Sequence, residues 1–403
     1  MFKKLEGGVT LPKGFHASGV KAGIKKVGKI DLGIIFSTTP AAAAALYTTN
    51  KMAAAPVIVS RAAAPEGYAS AVVVNSGCAN ACTGEVGLAD AKTMAQVTAE
   101  ALRIKTEDVL VASTGVIGVN LPMEKIVAGI KEAALALSDK NDADIQAAIM
   151  TTDTIPKASA YEFELDGKLV KIAGISKGSG MIHPNMATTL SFITTDAAIS
   201  PAILKKALIH ANELSFNMIT VDGDTSTNDM VSVLANGLAE NKLIDSEGSP
   251  AYGVFAEALT KVCVDLAKLI VKDGEGATKF LEIKVTEALT FEDAKEAAMT
   301  VAKSPLVKTA FFGQDPNWGR ILCAVGYSKA SVDPQKVSLS IGPMSIVTNG
   351  LKTPQVDTDA LTKIMSAKEI AINIKLGLGS AEATVWTCDL SYEYVKINGE
   401  YTT

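Results

Sequence analysis

The chain has 403 residues, enough for two or three domains of ordinary size. It carries 38 Lys and Arg against 43 Asp and Glu, a formal net charge of −5, and this near-balance gives no electrostatic case for binding nucleic acid or an anionic membrane. Hydrophobic residues make up 48% of the chain, a composition that excludes disorder as its main state. Five scattered cysteines, no signal-peptide core and no membrane-length apolar run predict a soluble cytoplasmic protein.

Short β-rich runs alternate with helical runs in the first part of the chain. Apolar runs at 71–74 and 109–112 predict buried strands, and the spacing of Ala, Leu, Ile and Val predicts helices over 89–103 and 123–137. Alternating apolar and polar residues around an Asp-Gly pair predict a β-hairpin over 160–173.

The second part of the chain begins with a glycine-rich loop over 177–185, followed by a predicted strand over 188–195. Helices are predicted over 200–215 and 252–271. After residue 278 strands and helices alternate again, and the last β-rich segments cover 337–341, 372–379 and 383–397. The pattern predicts an α/β sandwich over most of the chain and a smaller α/β domain after about residue 280.

The sequence contains few of the residues that standard catalytic motifs require. With three His in all, a Ser-His-Asp triad has few possible bases. Residues 174–178 match the G-x-S-x-G nucleophile elbow, but the Gly and Pro that follow oppose the helix that this elbow requires. No metal site is expected, because Cys78 and Cys82 have no second pair of Cys or His nearby.

A threonine freed at a new N-terminus is a nucleophile that needs no histidine. Its own α-amino group, with an ordinary pKa of about 7.7 to 8.0, acts as the base. Such a site requires a small residue before the Thr, a loop that can strain the bond and a strand that begins at the Thr. The pair Ala187-Thr188 meets these requirements. Spacing alone favours the simpler explanation, because a Thr at the start of a strand is usually only a β former.

The segment KGSGMIHPNMAT over 177–188 closely resembles the self-cleavage segment of the ornithine acetyltransferase family, the glutamate N-acetyltransferases of arginine biosynthesis. Further segments resemble that family in the same order along the chain. They are NSGCANACTG over 75–84, STGVIG over 113–118, MTTDT over 150–154, DGEGATK over 273–279, QDPNWGR over 314–320 and INGEYTT over 397–403.

The resemblance implies a mixed α/β (α+β) fold in which a layered αββα sandwich of the N-terminal-nucleophile type covers 1–280 and carries the active site. A smaller α/β domain over 281–403 is expected to contribute its C-terminal tail to that site. The resemblance also implies self-cleavage between Ala187 and Thr188. The α chain (1–187) and the β chain (188–403) would stay associated, commonly as an α2β2 heterotetramer.

The reaction implied by the resemblance is acetyl transfer by a ping-pong mechanism. The hydroxyl of Thr188 attacks the acetyl carbonyl of N2-acetyl-L-ornithine, releases ornithine, and passes the acetyl group to L-glutamate. Some family members also load the threonine from acetyl-CoA, so acetyl-CoA is a second candidate donor. No cofactor and no metal are expected.

Site residues carry over from the family position by position. Thr114 and Gly115 match the oxyanion hole, which stabilises the tetrahedral intermediate of acyl transfer. The matching substrate contacts are Thr152, Lys177, Thr188, Glu275, Asn398 and Thr403, with Thr151 as the alternative to Thr152. Charge suggests that Lys177 binds the substrate carboxylate and Glu275 the ornithine ammonium.

Two other functions stay open at this stage. An N-terminal-nucleophile aminopeptidase on a related scaffold would use water as the acyl acceptor, and a binding protein would show no turnover. The acidic segment 222–229 is interpreted as a turn-rich loop near the cleavage site, although its carboxylates could bind a cation.

Overall fold

The computed structural model describes residues 1–25, 28–183, 189–354 and 356–400. In chain order the strands are β1 Lys3–Leu5, β2 Phe15–Val20, β3 Leu32–Tyr47, β4 Tyr68–Cys78, β5 Val109–Val116, β6 Lys157–Leu165, β7 Lys168–Lys177, β8 Leu190–Thr195, β9 Ile219–Thr220, β10 Met230–Ala235, β11 Phe280–Ala288, β12 Ser338–Ile341, β13 Met344–Thr348, β14 Leu351–Lys352, β15 Glu369–Lys375 and β16 Ala381–Cys388. The helices are α1 Ala55–Ala62, α2 Gly84–Leu102, α3 Met123–Leu135, α4 Asp142–Ile149, α5 Pro201–Glu213, α6 Pro250–Lys272, α7 Phe291–Lys303, α8 Pro305–Phe312, α9 Trp318–Tyr327, α10 Thr358–Ser366 and α11 Tyr392–Glu400.

Within these residues the strands form two sheets, and the larger has nine strands in the order β1-β6-β7-β8-β10-β3-β4-β5, with β2 also paired to β3. The hairpin predicted around Asp166-Gly167 is β6–β7. Strand β7 pairs antiparallel with β8, from Ile172 opposite Thr195 to Lys177 opposite Leu190. Strand β8 pairs parallel with β10, and β10 pairs antiparallel with β3. Strands β8 and β10 are therefore inserted between two strands that come from before residue 178.

The long strand β3 divides the larger sheet into two halves that face each other. Its pairing with β4 is irregular between Phe36 and Ala41, and beyond that point β3 pairs with β10. Val74 of one half and Phe192 of the other belong to the same buried cluster, which forms the inner core. Helices α2 and α3 pack on the outer face of the β3–β5 half, and α5 and α6 on the outer face of the β6–β10 half. This is the αββα layering that the family resemblance implies.

The second sheet has seven strands among the described residues, in the order β14-β13-β12-β15-β11-β16-β9. Helix α7 covers β11 and β16, and α6 packs against both sheets. One cluster of buried side chains is continuous from α6 into this sheet. The mixed α/β fold class is thus confirmed, whereas a domain boundary at residue 280 stays a prediction, since β9 joins the second sheet from earlier in the chain.

The last predicted β segment is wrong in its second half. The β-rich composition of 383–397 predicts β structure throughout, but β16 ends at Cys388 and the chain continues into helix α11. The carboxylate of Asp389 accepts backbone N–H groups of Thr278 and Lys279, at 2.8 and 2.9 Å, and this turns the chain out of the sheet. Without a partner strand, the backbone satisfies its hydrogen bonds within a helix.

Every helix in the described part of the chain is too short or too polar to cross a lipid bilayer.

Candidate active site

Each predicted site residue that the structure describes lines one cavity of about 100 Å³. They come from five places in the chain and are Thr114, Gly115, Thr152, Lys177, Glu275 and Asn398. Thr151 also lines this cavity, so the choice between Thr151 and Thr152 stays open. Ala187, Thr188 and Thr403 lie outside the described residues.

Thr114 and Gly115 lie near the end of β5, which is buried between β4 and helices of the outer layer. Gly115 has φ +130°, and a Cβ atom there would lie 2.4 Å from the carbonyl carbon of Gly77. Only glycine therefore fits at this position. The Thr114 hydroxyl oxygen accepts a hydrogen bond from the Lys177 ammonium at 3.4 Å. A hydroxyl and a cationic side chain thus meet beside a tightly packed glycine.

Lys177 is the last residue of β7, and Glu275 follows the C-terminal end of α6. The backbone N–H of Glu275 donates to the carbonyl of Ser179 at 3.0 Å, and its carboxylate accepts a hydrogen bond from the Asn398 side chain at 2.8 Å. That carboxylate also packs over Gly180, where a Cβ atom would lie 2.3 Å from Oε2. One positive and one negative side chain therefore line the same small cavity, as recognition of a zwitterionic ligand requires.

Thr189 is the described residue nearest in sequence to the predicted cleavage site. It is buried, its hydroxyl donates to the Lys177 carbonyl, and it lies 2.9 Å from the Ser176 hydroxyl. It also lines a second small cavity together with Thr114, Lys177 and Asp229. Ser176 itself is buried inside β7, so the G-x-S-x-G match has no exposed nucleophile.

Comparison with known proteins gives the same family by sequence and by structure. The ArgJ family model matches residues 16–403. The arginine biosynthesis bifunctional protein ArgJ of Symbiobacterium thermophilum is 54% identical over 401 residues, which is 99% of each chain. Its counterpart in Caldanaerobacter subterraneus is 52% identical over 403 residues, again 99% of each chain. The chain belongs to the ArgJ family. The predicted resemblance is therefore confirmed, and with it the prediction of an acetyltransferase of arginine biosynthesis.

A solved structure of an ArgJ protein agrees with this assignment. The crystal structure of the arginine biosynthesis bifunctional protein from Bacillus halodurans is 44% identical in sequence, with a TM-score of 0.50. The match covers 52% of this chain and 98% of that chain.

The sequence interpretation missed the polar residues that surround the cavity of this ArgJ-family chain. Ser226, Thr227 and Asn228 line it, whereas the sequence predicts for the segment 222–229 a turn-rich loop or a cation site on its carboxylates. The Asn228 amide donates to the carbonyls of Ala79 and Ser113, at 2.6 and 2.9 Å, and so ties the two halves of the larger sheet together. Among the residues described, no group of three or more His, Cys, Asp or Glu side chains could hold a metal ion.

Two buried carboxyl groups near Lys177 were also missed. Burial raises the pKa of Asp229 well above its ordinary value, although the Lys177 ammonium opposes the shift. Its Oδ2 atom has no hydrogen-bond partner within the described ranges. Burial also opposes ionisation of Asp153, but the ammonium groups of Lys177 and Lys157 outweigh it and hold the pKa at about 2. Asp153 lies in the segment MTTDT and Asp229 is the last residue of the acidic segment 222–229. Nothing in the sequence distinguishes either residue from an exposed loop charge.

Proposed function

We propose that this chain transfers the acetyl group of N2-acetyl-L-ornithine to L-glutamate through an acetyl ester on Thr188. The observation that carries the proposal is the convergence of the six described site residues on one cavity. Four of them lie before the Ala187–Thr188 bond, and Glu275 and Asn398 lie after it. A cavity built from both sides of that bond suits an enzyme whose nucleophile appears when the bond is cut.

The chemistry begins with cleavage of the Ala187–Thr188 bond, which frees the Thr188 α-amino group. This amine takes the proton of the Thr188 hydroxyl as the oxygen attacks the acetyl carbonyl. The Thr114 hydroxyl and the Gly115 N–H stabilise the oxyanion that forms, and loss of one such donor typically costs about 2.7 to 4 kcal/mol. Collapse returns the proton to the departing amine of ornithine. The amine of glutamate then attacks the ester, and the threonine is regenerated.

The charged residues select the substrate. Lys177 binds the α-carboxylate that the acetylated substrate and glutamate share, and Glu275 binds the terminal ammonium of ornithine. Asn398 orients the Glu275 carboxylate through their 2.8 Å hydrogen bond. Thr152 and Thr403 complete the contacts to the substrate.

Acetyl-CoA is proposed as a second acetyl donor, in keeping with the bifunctional proteins to which the chain is similar. No cofactor takes part in this scheme. The α and β chains remain associated as an α2β2 heterotetramer in the cytoplasm. Assay of N-acetylglutamate formation from acetyl-CoA and glutamate alone tests the second donor, and absence of product would restrict the enzyme to acetylornithine.

Self-processing is tested on a denaturing gel. The 41.9 kDa chain should give bands of about 19 and 22 kDa, in proportion to chain length. Thr188→Ala should leave one uncut, inactive chain, because no hydroxyl is available for attack. Thr188→Ser is the matched control and should still be cut. A single intact chain in active wild-type protein would contradict the N-terminal threonine mechanism.

Transfer is tested by incubating the enzyme with N2-acetylornithine, with and without glutamate. The proposal requires N-acetylglutamate and ornithine in equal amounts, and little acetate. Release of acetate without acetylglutamate would instead identify an aminopeptidase-like hydrolase. Ligand binding without turnover would identify a binding protein.

A further inference from the structure

Lys157 has an unusual environment, because its ammonium group is buried between two carboxylates. The residue is 1% exposed, and its Nζ atom lies 2.6 Å from Asp153 Oδ1 and 2.6 Å from Asp273 Oδ2. Removing one partner of such a cluster leaves an unpaired buried charge, which is strongly destabilising. The cluster belongs neither to the oxyanion hole nor to the proposed substrate contacts.

Each carboxylate of this cluster also accepts hydrogen bonds from backbone N–H groups in the nearby loops. Asp153 accepts the N–H of Thr151 at 3.0 Å and the N–H of Gly178 at 2.8 Å. Asp273 accepts the N–H of Thr154 at 3.0 Å. The two acids thus connect the loop that follows α4 with the glycine-rich loop that follows β7.

The same cluster reaches the position of Glu275. The Ser179 hydroxyl donates to the Asp273 carbonyl at 2.6 Å, and the Glu275 N–H donates to the Ser179 carbonyl at 3.0 Å. Three residues that line the cavity therefore lie close to this cluster along the chain. The N–H of Thr151 is bonded to it directly, Lys177 precedes the bonded Gly178, and Glu275 lies two residues after Asp273.

Lys157 and its two carboxylates together carry one net negative charge, and the neighbouring Lys177 ammonium offsets it. Lys177 attracts Asp153 from one side and Lys157 attracts it from the other, and both hold its pKa down although burial opposes them. Asp273 pairs with the far side of Lys157. Lys177 is half-buried, so its ammonium group lies beside the buried cluster and balances the cluster's charge.

We propose that Lys157 is a positioning residue for substrate binding, which sets the places of Lys177 and Glu275 through Asp153 and Asp273. The oxyanion-hole residues Thr114 and Gly115 lie on β5, which is held by its pairing with β4. Loss of Lys157 therefore acts on the substrate contacts more than on the groups that stabilise the transition state. The kinetic part of this inference rests on the proposed function.

The test replaces Lys157 by Met, alone and together with Asp273→Asn. The double variant removes one positive and one negative charge, so that Asp153 and Lys177 remain balanced and folding is favoured. Lys308→Met is the matched control, because Lys308 is also a buried lysine, 3% exposed, but donates to Thr387 and to the Cys388 carbonyl, neither of which lines the cavity.

The double variant should raise KM for N2-acetylornithine by about tenfold or more and change kcat by less than about threefold, because misplaced binding groups weaken binding of both ground and transition states. Hydrogen exchange should become faster at residues 178–182 and at 275–277. Lys308→Met should lower the melting temperature and leave KM and the exchange of these loops unchanged.

An unchanged KM in the folded double variant would overturn the proposal, and so would an equal rise of KM in Lys308→Met. Hydrogen exchange separates this inference from the proposed function. If the wild-type enzyme has no transferase activity, the proposed function fails, and unchanged loop exchange in the double variant then refutes the positioning role by itself.

Discussion

At the scale of single residues, Gly180 shows how closely the cavity is built around the Glu275 carboxylate. A methyl group at 180 would lie 2.3 Å from Oε2 and 2.4 Å from Cδ of Glu275. Gly180→Ala should therefore displace the carboxylate and raise KM for N2-acetylornithine roughly tenfold, the loss expected for one charged hydrogen bond of about 1.5 kcal/mol. Steady-state kinetics measure it. Gly253→Ala, which meets no atom within 4 Å in helix α6, is the control and should leave KM unchanged.

Asp229 should make the stability of the protein depend on pH, because burial raises the pKa of its carboxyl group well above the ordinary value. At pH values between the ordinary pKa and this raised pKa, the folded protein holds a proton that the unfolded chain has lost. Its contribution to the free energy of unfolding is therefore greatest below about pH 4 and falls as the pH rises. Asp229→Asn should remove this fall, so that the variant gains stability relative to wild type between pH 4.5 and 7. Melting temperatures across this range measure it.

For Asp153, the same experiment should show the opposite dependence of stability on pH. Its pKa of about 2 means that stability is present at neutral pH and is lost as the pH falls below about 4. The loss amounts to about 2 kcal/mol. The Asp153→Asn variant should therefore be less stable than wild type at pH 7, and this difference should shrink as the pH falls below about 4. Parallel pH profiles for the two variants would contradict both assignments.

At the scale of elements, helix α11 connects the end of the chain to the cavity without entering the core. None of its residues is buried. Ser391, just before the helix, donates its hydroxyl to the Gly276 carbonyl at 2.6 Å. Within the helix, the Asn398 amide donates to Glu275, Tyr394 forms a hydrogen bond with Asp222, and Tyr392 makes an edge contact with Phe312. A chain that ends at Leu390 should therefore keep its fold while it loses contacts to the substrate.

Truncation after Leu390 should change the melting temperature by only a few degrees and raise KM by tenfold or more, about 1.4 kcal/mol, because an Asn398 donor to a charged group is lost. Calorimetry and steady-state kinetics measure the two effects. Asn398→Ala should reproduce most of the rise in KM. A truncated chain that unfolds would show that α11 supports the core.

The elements also show what the sequence could predict. Continuous apolar runs found β4 and β5, which are buried on both faces, and the alternation of apolar and polar residues found the β6–β7 hairpin, because both patterns are local. The sequence prediction failed at α11, where the β-forming residues Tyr392 and Val395 are exposed to solvent and do not mark the buried face of a sheet. The family motifs found six residues that line the cavity, but they did not find Ser226, Thr227 and Asn228. They did not find the pairing of Lys157 with Asp273, because these residues are 116 positions apart and only the fold brings their charges together.

At the scale of the whole molecule, the proposed cut falls between two paired strands. Strand β7 ends before it and β8 begins after it, and the two pair over six positions from Ile172–Thr195 to Lys177–Leu190. The α and β chains should therefore elute together in gel filtration after cleavage, and should separate only in denaturant. Elution of separate chains in native buffer would contradict the strand order.

The insertion of β8 and β10 between β7 and β3 has a further consequence for the cut enzyme. While the chain is continuous, these strands are brought together by closing loops, an entropic cost that grows slowly with loop length. After the cut, the same sheet can be rebuilt only by two separate polypeptides that meet and interleave, a step that depends on concentration. If the bond is cut as proposed, each molecule folds once as a continuous chain and then loses the connection through which it folded. The lifetime of the active enzyme would then depend on its rate of unfolding and not on an equilibrium with the unfolded chains.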